Sequence, residues 1–140
     1  MSNVSILFVD DDQEMVDSLA RWFRRKGYQT TPTYHPMQCL VAAATHDYHV
    51  AVVDVGMPDM NGLELLVELV QLKLYPVVVL SGHNDAGFKA EAIRLGAANY
   101  LVKPVSMKDL EDAIKKAIAE FAASPTHAIK NRKRNALRPV

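Results

Sequence analysis

The chain reads as an α/β protein built on a doubly wound parallel sheet, and three observations predict it. Short runs that are apolar on both faces recur along the sequence, helical periods separate them, and the two kinds of segment alternate five times. Strands without polar alternation suit a parallel sheet covered by helices on both sides and joined by right-handed crossovers.

Each element follows in order. Ile6-Leu7-Phe8-Val9 is the first strand, and Met15, Leu19, Trp22 and Phe23 at i, i+4, i+7 and i+8 predict the first helix, ended by Gly27. Gln29–Thr33 is more polar and reads as an edge strand, where Pro32 is tolerated. Pro36 opens a short helix over 36–46 whose apolar members are Met37, Leu40, Val41 and Ala44, with Cys39 as a small buried hydrophobe. Val50–Val53 and Val77–Leu80 are strands, separated by a helix on Leu63, Leu66, Val67 and Val70. Phe88, Ala92 and Leu95 mark a fourth helix stopped by Gly96, and Asn99–Val102 is a weaker strand. Leu110, Ile114, Ala117, Ile118 and Phe121 form the last helix. The Met and aromatic members of these stripes are read as core. Ser124 and Pro125 have the types of an N-cap and first residue of a short extra helix.

Length and composition agree with this reading. One hundred and forty residues, 49% hydrophobic and 23% charged, fit one globular domain and exclude whole-chain disorder. A single cysteine excludes an internal disulfide framework and a cysteine-based zinc site. The N-terminus has no basic lead and no run reaches the 18 or so apolar residues of a membrane span, so a cytoplasmic protein without membrane contact is expected. The zero net charge hides an asymmetry: residues 1–123 carry sixteen acids and eleven Lys or Arg (−5), while 124–140 carry five cations and no acid (+5). The expected division is a domain over 1–123 and a basic tail or linker over 124–140. A solvated linker is the simpler reading of the tail; contact with an acidic surface or a nucleic acid is the alternative.

In open α/β sheets, ligands sit beyond the carboxyl ends of the strands. Asp10-Asp11-Asp12 follows the first strand here, Asp54 the third, Ser81-Gly82 the fourth and Lys103-Pro104 the fifth. Each residue alone has a plain explanation. Asp11 with Glu14 makes a capping box, Asp12 could cap instead, and Asp54, Ser81, Lys103 and Pro104 could be turn or surface residues. Their coincidence at four strand ends favours a site. Two carboxylates about 5 Å apart repel by roughly 3 kcal/mol at an effective dielectric near 20, so Asp10, Asp11 and Asp54 call for a cation. Oxygen donors at an exposed strand end suit Mg²⁺, with Mn²⁺ as a substitute. Asp54 beside such an ion is a candidate carboxylate nucleophile for phosphate, with Lys103 and the Ser81 hydroxyl aimed at the remaining oxygens.

Over residues 4 to about 122 the chain resembles the receiver domain of bacterial two-component response regulators. The motifs are Val9-Asp10-Asp11-Asp12, then Val53-Asp54-Val55-Gly56-Met57-Pro58-Asp59-Met60-Asn61-Gly62, Val79-Leu80-Ser81-Gly82-His83 and Gly96-Ala97-Ala98-Asn99-Tyr100-Leu101-Val102-Lys103-Pro104. The resemblance implies a flavodoxin-like sandwich with strand order 2-1-3-4-5. It implies that Asp54 is the phosphoacceptor, that Asp11 holds Mg²⁺ directly and Asp10 through water, and that the Gly56 carbonyl is a further ligand. Ser81 is similar to the switch hydroxyl, Tyr100 to the aromatic that swings inward, and Lys103 to the phosphoryl contact, with a cis Lys103-Pro104 bond. The modified protein would switch a face made of the fourth helix, fifth strand and fifth helix. The implied partners are a histidine kinase or phosphotransfer protein, and a downstream protein or fused effector domain, in a phosphorelay.

Five positions depart from the commonest pattern. Ser81 stands for Thr and keeps the hydroxyl, and Val105 stands for Phe. Gly56 and His83 occupy positions through which relatives tune dephosphorylation; Gly56 opens the site to water, while His83 either orients that water or is a solvated loop residue. Asn99 replaces an acid of the winged-helix subfamily's ion pairs, so a dimer through that network is not expected, while another phosphorylation-dependent dimer stays open.

Two rival readings exist. A Mg²⁺-dependent phosphohydrolase with an Asp nucleophile would want Thr or Val where Glu14 stands, and more chain for a cap. A nucleic-acid-binding protein would act through the tail, but no helix-turn-helix pattern or interleaved aromatic accompanies the cations, so direct nucleic-acid binding is not expected. The expected protein is a phosphoacceptor signalling domain that assists its own phosphotransfer and dephosphorylation, not a separate enzyme.

Overall fold

A computed structural model describes residues 4–56, 62–82 and 86–124. Five strands and five helices alternate: β1 (Ser5–Val9), α1 (Gln13–Arg25), β2 (Gln29–Thr33), α2 (Pro36–Thr45), β3 (Val50–Asp54), α3 (Gly62–Leu72), β4 (Val77–Ser81), α4 (Ala86–Arg94), β5 (Asn99–Val102) and α5 (Met107–Ala123). All pairings are parallel and the order is β2-β1-β3-β4-β5. Pro32 lies in β2 at the edge, as a residue lacking a backbone donor must.

The reason the central strands are apolar throughout is visible in their packing. Successive side chains point to opposite faces. Leu7, Val9, Ala51, Val53, Val77 and Val79 pack with Cys39, Ala43, Leu65, Leu66, Leu69 and Ala92, on the side of α2, α3 and α4. Ile6, Phe8, Val50, Val52, Val78 and Leu80 pack on the other face with Val16, Leu19, Phe23, Leu110, Ile114 and Ala117 of α1 and α5.

The helical stripes correct the expectation in places. Met15, Met37 and Val41 are not core: they are 40%, 60% and 59% exposed. The buried residues of α1 are Val16, Leu19, Ala20 and Phe23, one step round the helix from Met15, with Trp22 packed at their margin. In α2 the buried residues are Pro36, Cys39 and Ala43, small side chains that let the helix approach β1 closely, which turns Met37 and Val41 outward. In α3, Gly62, Leu65, Leu66 and Leu69 are buried, while Leu63 and Val70 pack at the margin.

Helix ends follow the local chemistry. Asp12, not Asp11, caps α1, accepting from the Met15 N–H at 3.1 Å, and Ser106 caps α5 through the Asp109 N–H at 3.0 Å. Ser124 closes α5, its N–H donating to the Phe121 carbonyl. Residues 125–140, which include the tail cations, lie outside the described residues.

Candidate functional site

The site collects where four strands end at one sheet edge. β1 ends at Val9 and delivers Asp10 and Asp11, while β3 ends on Asp54 itself. β4 ends on Ser81, and β5 releases the chain into Lys103 after Val102. The parallel register makes this automatic: Asp54 lies beside Leu80, and Ser81 beside Val102. Asp10, Asp54 and Ser81 are buried, while Asp11 is exposed.

One carboxylate oxygen from each of Asp10, Asp11 and Asp54 can be chosen so that all lie within 4.8 Å of one another. The Lys103 ammonium stands 3.3 Å from an Oδ2 of both Asp10 and Asp54. Three carboxylates against one ammonium leave a formal deficit of two positive charges, which a divalent cation matches. Asp12 turns its side chain to the α1 cap, so it leaves this cluster, and its N–H donates to Asp10 Oδ1 at 3.0 Å. The Gly56 N–H donates to Asp54 Oδ1 at 2.9 Å.

The electrostatics of the cluster are uneven. Burial pushes the Asp10 carboxyl up to about 6, and the neighbouring Asp54 adds to this, against the Asp12 N–H and Lys103 that oppose it. Burial alone would lower the Lys103 ammonium, but the facing carboxylates of Asp54 and Asp10 raise it, so it stays charged. The arrangement is an anionic floor with one fixed cation at its wall. It suits an oxygen-ligated metal and a group that neutralises when it binds there.

The remaining expected residues fall as follows. Ser81 is fully buried and its carbonyl accepts from the Lys103 N–H at 2.7 Å. Lys103-Pro104 is cis. Tyr100 is buried in the core, its ring 6.2 Å from that of Phe88 on α4. His83 lies outside the described residues, as do Met57–Asn61 of the longest motif.

Thr33 escaped the sequence reading. It is buried at the end of β2, its hydroxyl donates to the Phe8 carbonyl at 2.6 Å, and its own carbonyl accepts from the Asp10 N–H at 3.2 Å. Those contacts hold the strand end that aims Asp10. Its position at the end of an edge strand beside the acid triplet was the available signal. Glu111 was missed too: this buried carboxylate of α5 accepts from the Tyr28 hydroxyl at 2.8 Å, with Lys26 and Lys115 each at 3.7 Å.

Comparison with known proteins decides the family. The response regulator receiver domain model matches residues 6–115. The chain belongs to the response regulator receiver family. It is 31% identical over 119 residues to the transcriptional regulatory protein KdpE of Mycobacterium tuberculosis, covering 85% of this chain and 53% of that one. It is 36% identical over 110 residues to the two-component response regulator ARR10 of Arabidopsis thaliana, covering 76% and 20%. The receiver therefore spans about half the length of the first of these relatives and a fifth of the second. Among solved structures it is similar to a CheY-like receiver domain protein from Methanospirillum hungatei, with a TM-score of 0.79, 28% identity, and coverage of 84% of this chain and 94% of that one. Receiver domains are signalling domains of two-component systems, paired with histidine kinases and effector domains, and they generally bind Mg²⁺ at an acidic pocket. No described helix is long and apolar enough to cross a membrane.

Proposed function

We propose that Asp54 accepts a phosphoryl group from the phosphohistidine of a histidine kinase or phosphotransfer protein. The observation that carries this is the three-carboxylate, one-ammonium cluster at the ends of β1, β3 and β5. An Asp54 carboxylate oxygen attacks phosphorus, the P–N bond to imidazole breaks, and the departing imidazole takes a proton. Lys103 sits within 3.3 Å of Asp54 and stabilises the charge that accumulates on the transferred oxygens. The Gly56 N–H holds Asp54 Oδ1 and fixes the carboxylate plane.

The donor set fits Mg²⁺, with Mn²⁺ as a substitute, since it is all oxygen and short of two positive charges. Asp10, Asp11, Asp54 and the Gly56 carbonyl would hold the ion. When bound, it neutralises the incoming phosphate and screens the carboxylates from one another. A Cβ on Gly56 would come to 3.4 Å from Asp54 Oδ1, so this position governs how closely water approaches the modified carboxylate, with His83 as the second tuning residue.

The modified Asp54 carries about −1.5 to −2 charge and three acceptor oxygens. Ser81 and Lys103 bond those oxygens in one arrangement of the loops after β4 and β5, and Tyr100, packed against Phe88 of α4, is held inward with it. The face of α4, β5 and α5 is thereby biased toward one of two states and presented to a partner or effector domain, or to a second copy. The receiver occupies 1–123, with 124–140 as a basic tail or linker, and it works in the cytoplasm as a phosphoacceptor, not as a turnover enzyme. Intact mass after incubation with Mg²⁺ and acetyl phosphate tests the reading. One added phosphoryl group, absent after EDTA pretreatment and in Asp54→Asn, is expected; an unmodified or equally modified variant pair contradicts it.

A further inference from the structure

At the opposite edge of the sheet from the carboxylates, a cavity of about 430 Å³ opens between the end of α3, the start of β4 and the end of α5. Its walls are largely apolar, from Val70, Tyr75, Val77, Ala117 and Phe121, and Lys73 stands among its lining residues. That size and character match a site for a small molecule with an apolar body.

Lys73 is what makes the cavity more than a surface fold. Three helices here end in a left-handed residue. After α1 it is Gly27 at φ +101°, and after α4 it is Gly96 at φ +113°. After α3 it is Lys73 at φ +55°, the only non-glycine residue with positive φ among those described. Its N–H donates to the Val70 carbonyl at 3.0 Å, the bond that a helix-terminating glycine makes at no steric penalty. A lysine there strains the backbone, and its ammonium makes no ion pair among the described residues. The chain thus keeps a cation, at some loss of stability, beside an apolar cavity.

We infer that this cavity binds a small amphipathic acid, its apolar body lodged between Val70, Val77 and Phe121 and its anionic group against the Lys73 ammonium. Glu120, also in the lining, disfavours the reverse orientation by like-charge repulsion. The site is independent of the phosphoacceptor chemistry and uses none of its residues.

The test uses the full 140-residue chain and a matched pair of fluorescent probes: 8-anilinonaphthalene-1-sulfonate, and the neutral N-phenyl-1-naphthylamine with the same rings. The sulfonate is expected to bind saturably with one site per chain. Ala98→Trp, a change at an exposed residue of the lining, should abolish binding of both probes. Lys73→Gly should weaken the sulfonate about tenfold, leave the neutral probe unchanged, and raise Tm by a few degrees. A lysine that merely caps α3 would give the same rise in Tm with sulfonate binding unchanged, which overturns the inference. So would sulfonate binding that is absent, or that survives Ala98→Trp.

Discussion

Asp10 carries the sharpest conflict in the molecule. It is buried beside a second carboxylate, and its carboxyl is raised from 3.8 to about 6. Between those values the folded chain holds a proton that the unfolded chain has released. The group's contribution to stability is therefore full below about pH 4 and is lost as pH rises through about 6. A shift of that size corresponds to at most about 3 kcal/mol, with the opposing pull of Lys103 at 3.3 Å already included in it. Asp10→Asn keeps an oxygen for the Asp12 N–H and removes the charge. In EDTA at pH 7.5 it is expected to be about 1–2 kcal/mol more stable than the parent by urea denaturation, with the advantage gone near pH 4 and reduced in saturating Mg²⁺. A variant less stable in EDTA at both pH values would contradict this electrostatic picture. The acid cluster, the lysine and the hydroxyl were all legible, because strand ends can be counted from the sequence. The Asp10 shift was not, since it depends on burial and on the distance to Asp54.

Among the elements, α3 and α5 are held by contacts with single-residue tests. Gly62 opens α3 so close to the preceding strand end that an added Cβ would stand 2.1 Å from Val55 Cα. The neighbour is backbone, so it cannot move aside cheaply. Gly62→Ala is expected to lose about 3 kcal/mol or more in urea denaturation. α5 is pinned through Glu111, whose carboxyl would be raised by burial but is held below its usual range by the Tyr28 hydroxyl, Lys115 and Lys26. Tyr28→Phe removes the hydroxyl donor and should cost about 1–3 kcal/mol at neutral pH. Because a depressed carboxyl stabilises only when ionised, that cost should shrink as pH falls through the folded value. All five helices and five strands could be read from periodicity, but the facing residues of α1 and α2 were shifted. Cys39 was legible as a buried residue, but the helical period also placed Met37 and Val41 inward, whereas packing of α2 on β1 buries the small Ala43 instead. Glu111 was illegible for a related reason: a glutamate on a helix reads as solvated until Tyr28, eighty-three residues away, is placed beside it.

For the whole molecule, the strand order β2-β1-β3-β4-β5 puts β1 and β3 side by side at the centre, which is why acids far apart in sequence share one pocket. Folding therefore builds a site with a charge deficit, and a divalent ion bound there would be coupled to folding. Mg²⁺ at about a hundred times its dissociation constant should stabilise the fold by about 2.7 kcal/mol, seen as a rise in Tm of roughly 5–10 °C. Asp11→Asn, at an exposed position, should keep the apo Tm and lose most of that rise. A parent Tm indifferent to Mg²⁺ would break the link between the carboxylate cluster and the metal. Phosphoryl transfer singles out one carboxylate, Asp54, among the three that metal binding would share. The measurement that tests it most directly is borohydride reduction of the acetyl-phosphate-treated protein, followed by peptide mass mapping, since an acyl phosphate on aspartate reduces to homoserine. Homoserine at position 54 alone, and none after EDTA pretreatment, is the expected result; homoserine at position 10 or 11, or at none of the three, would contradict the account.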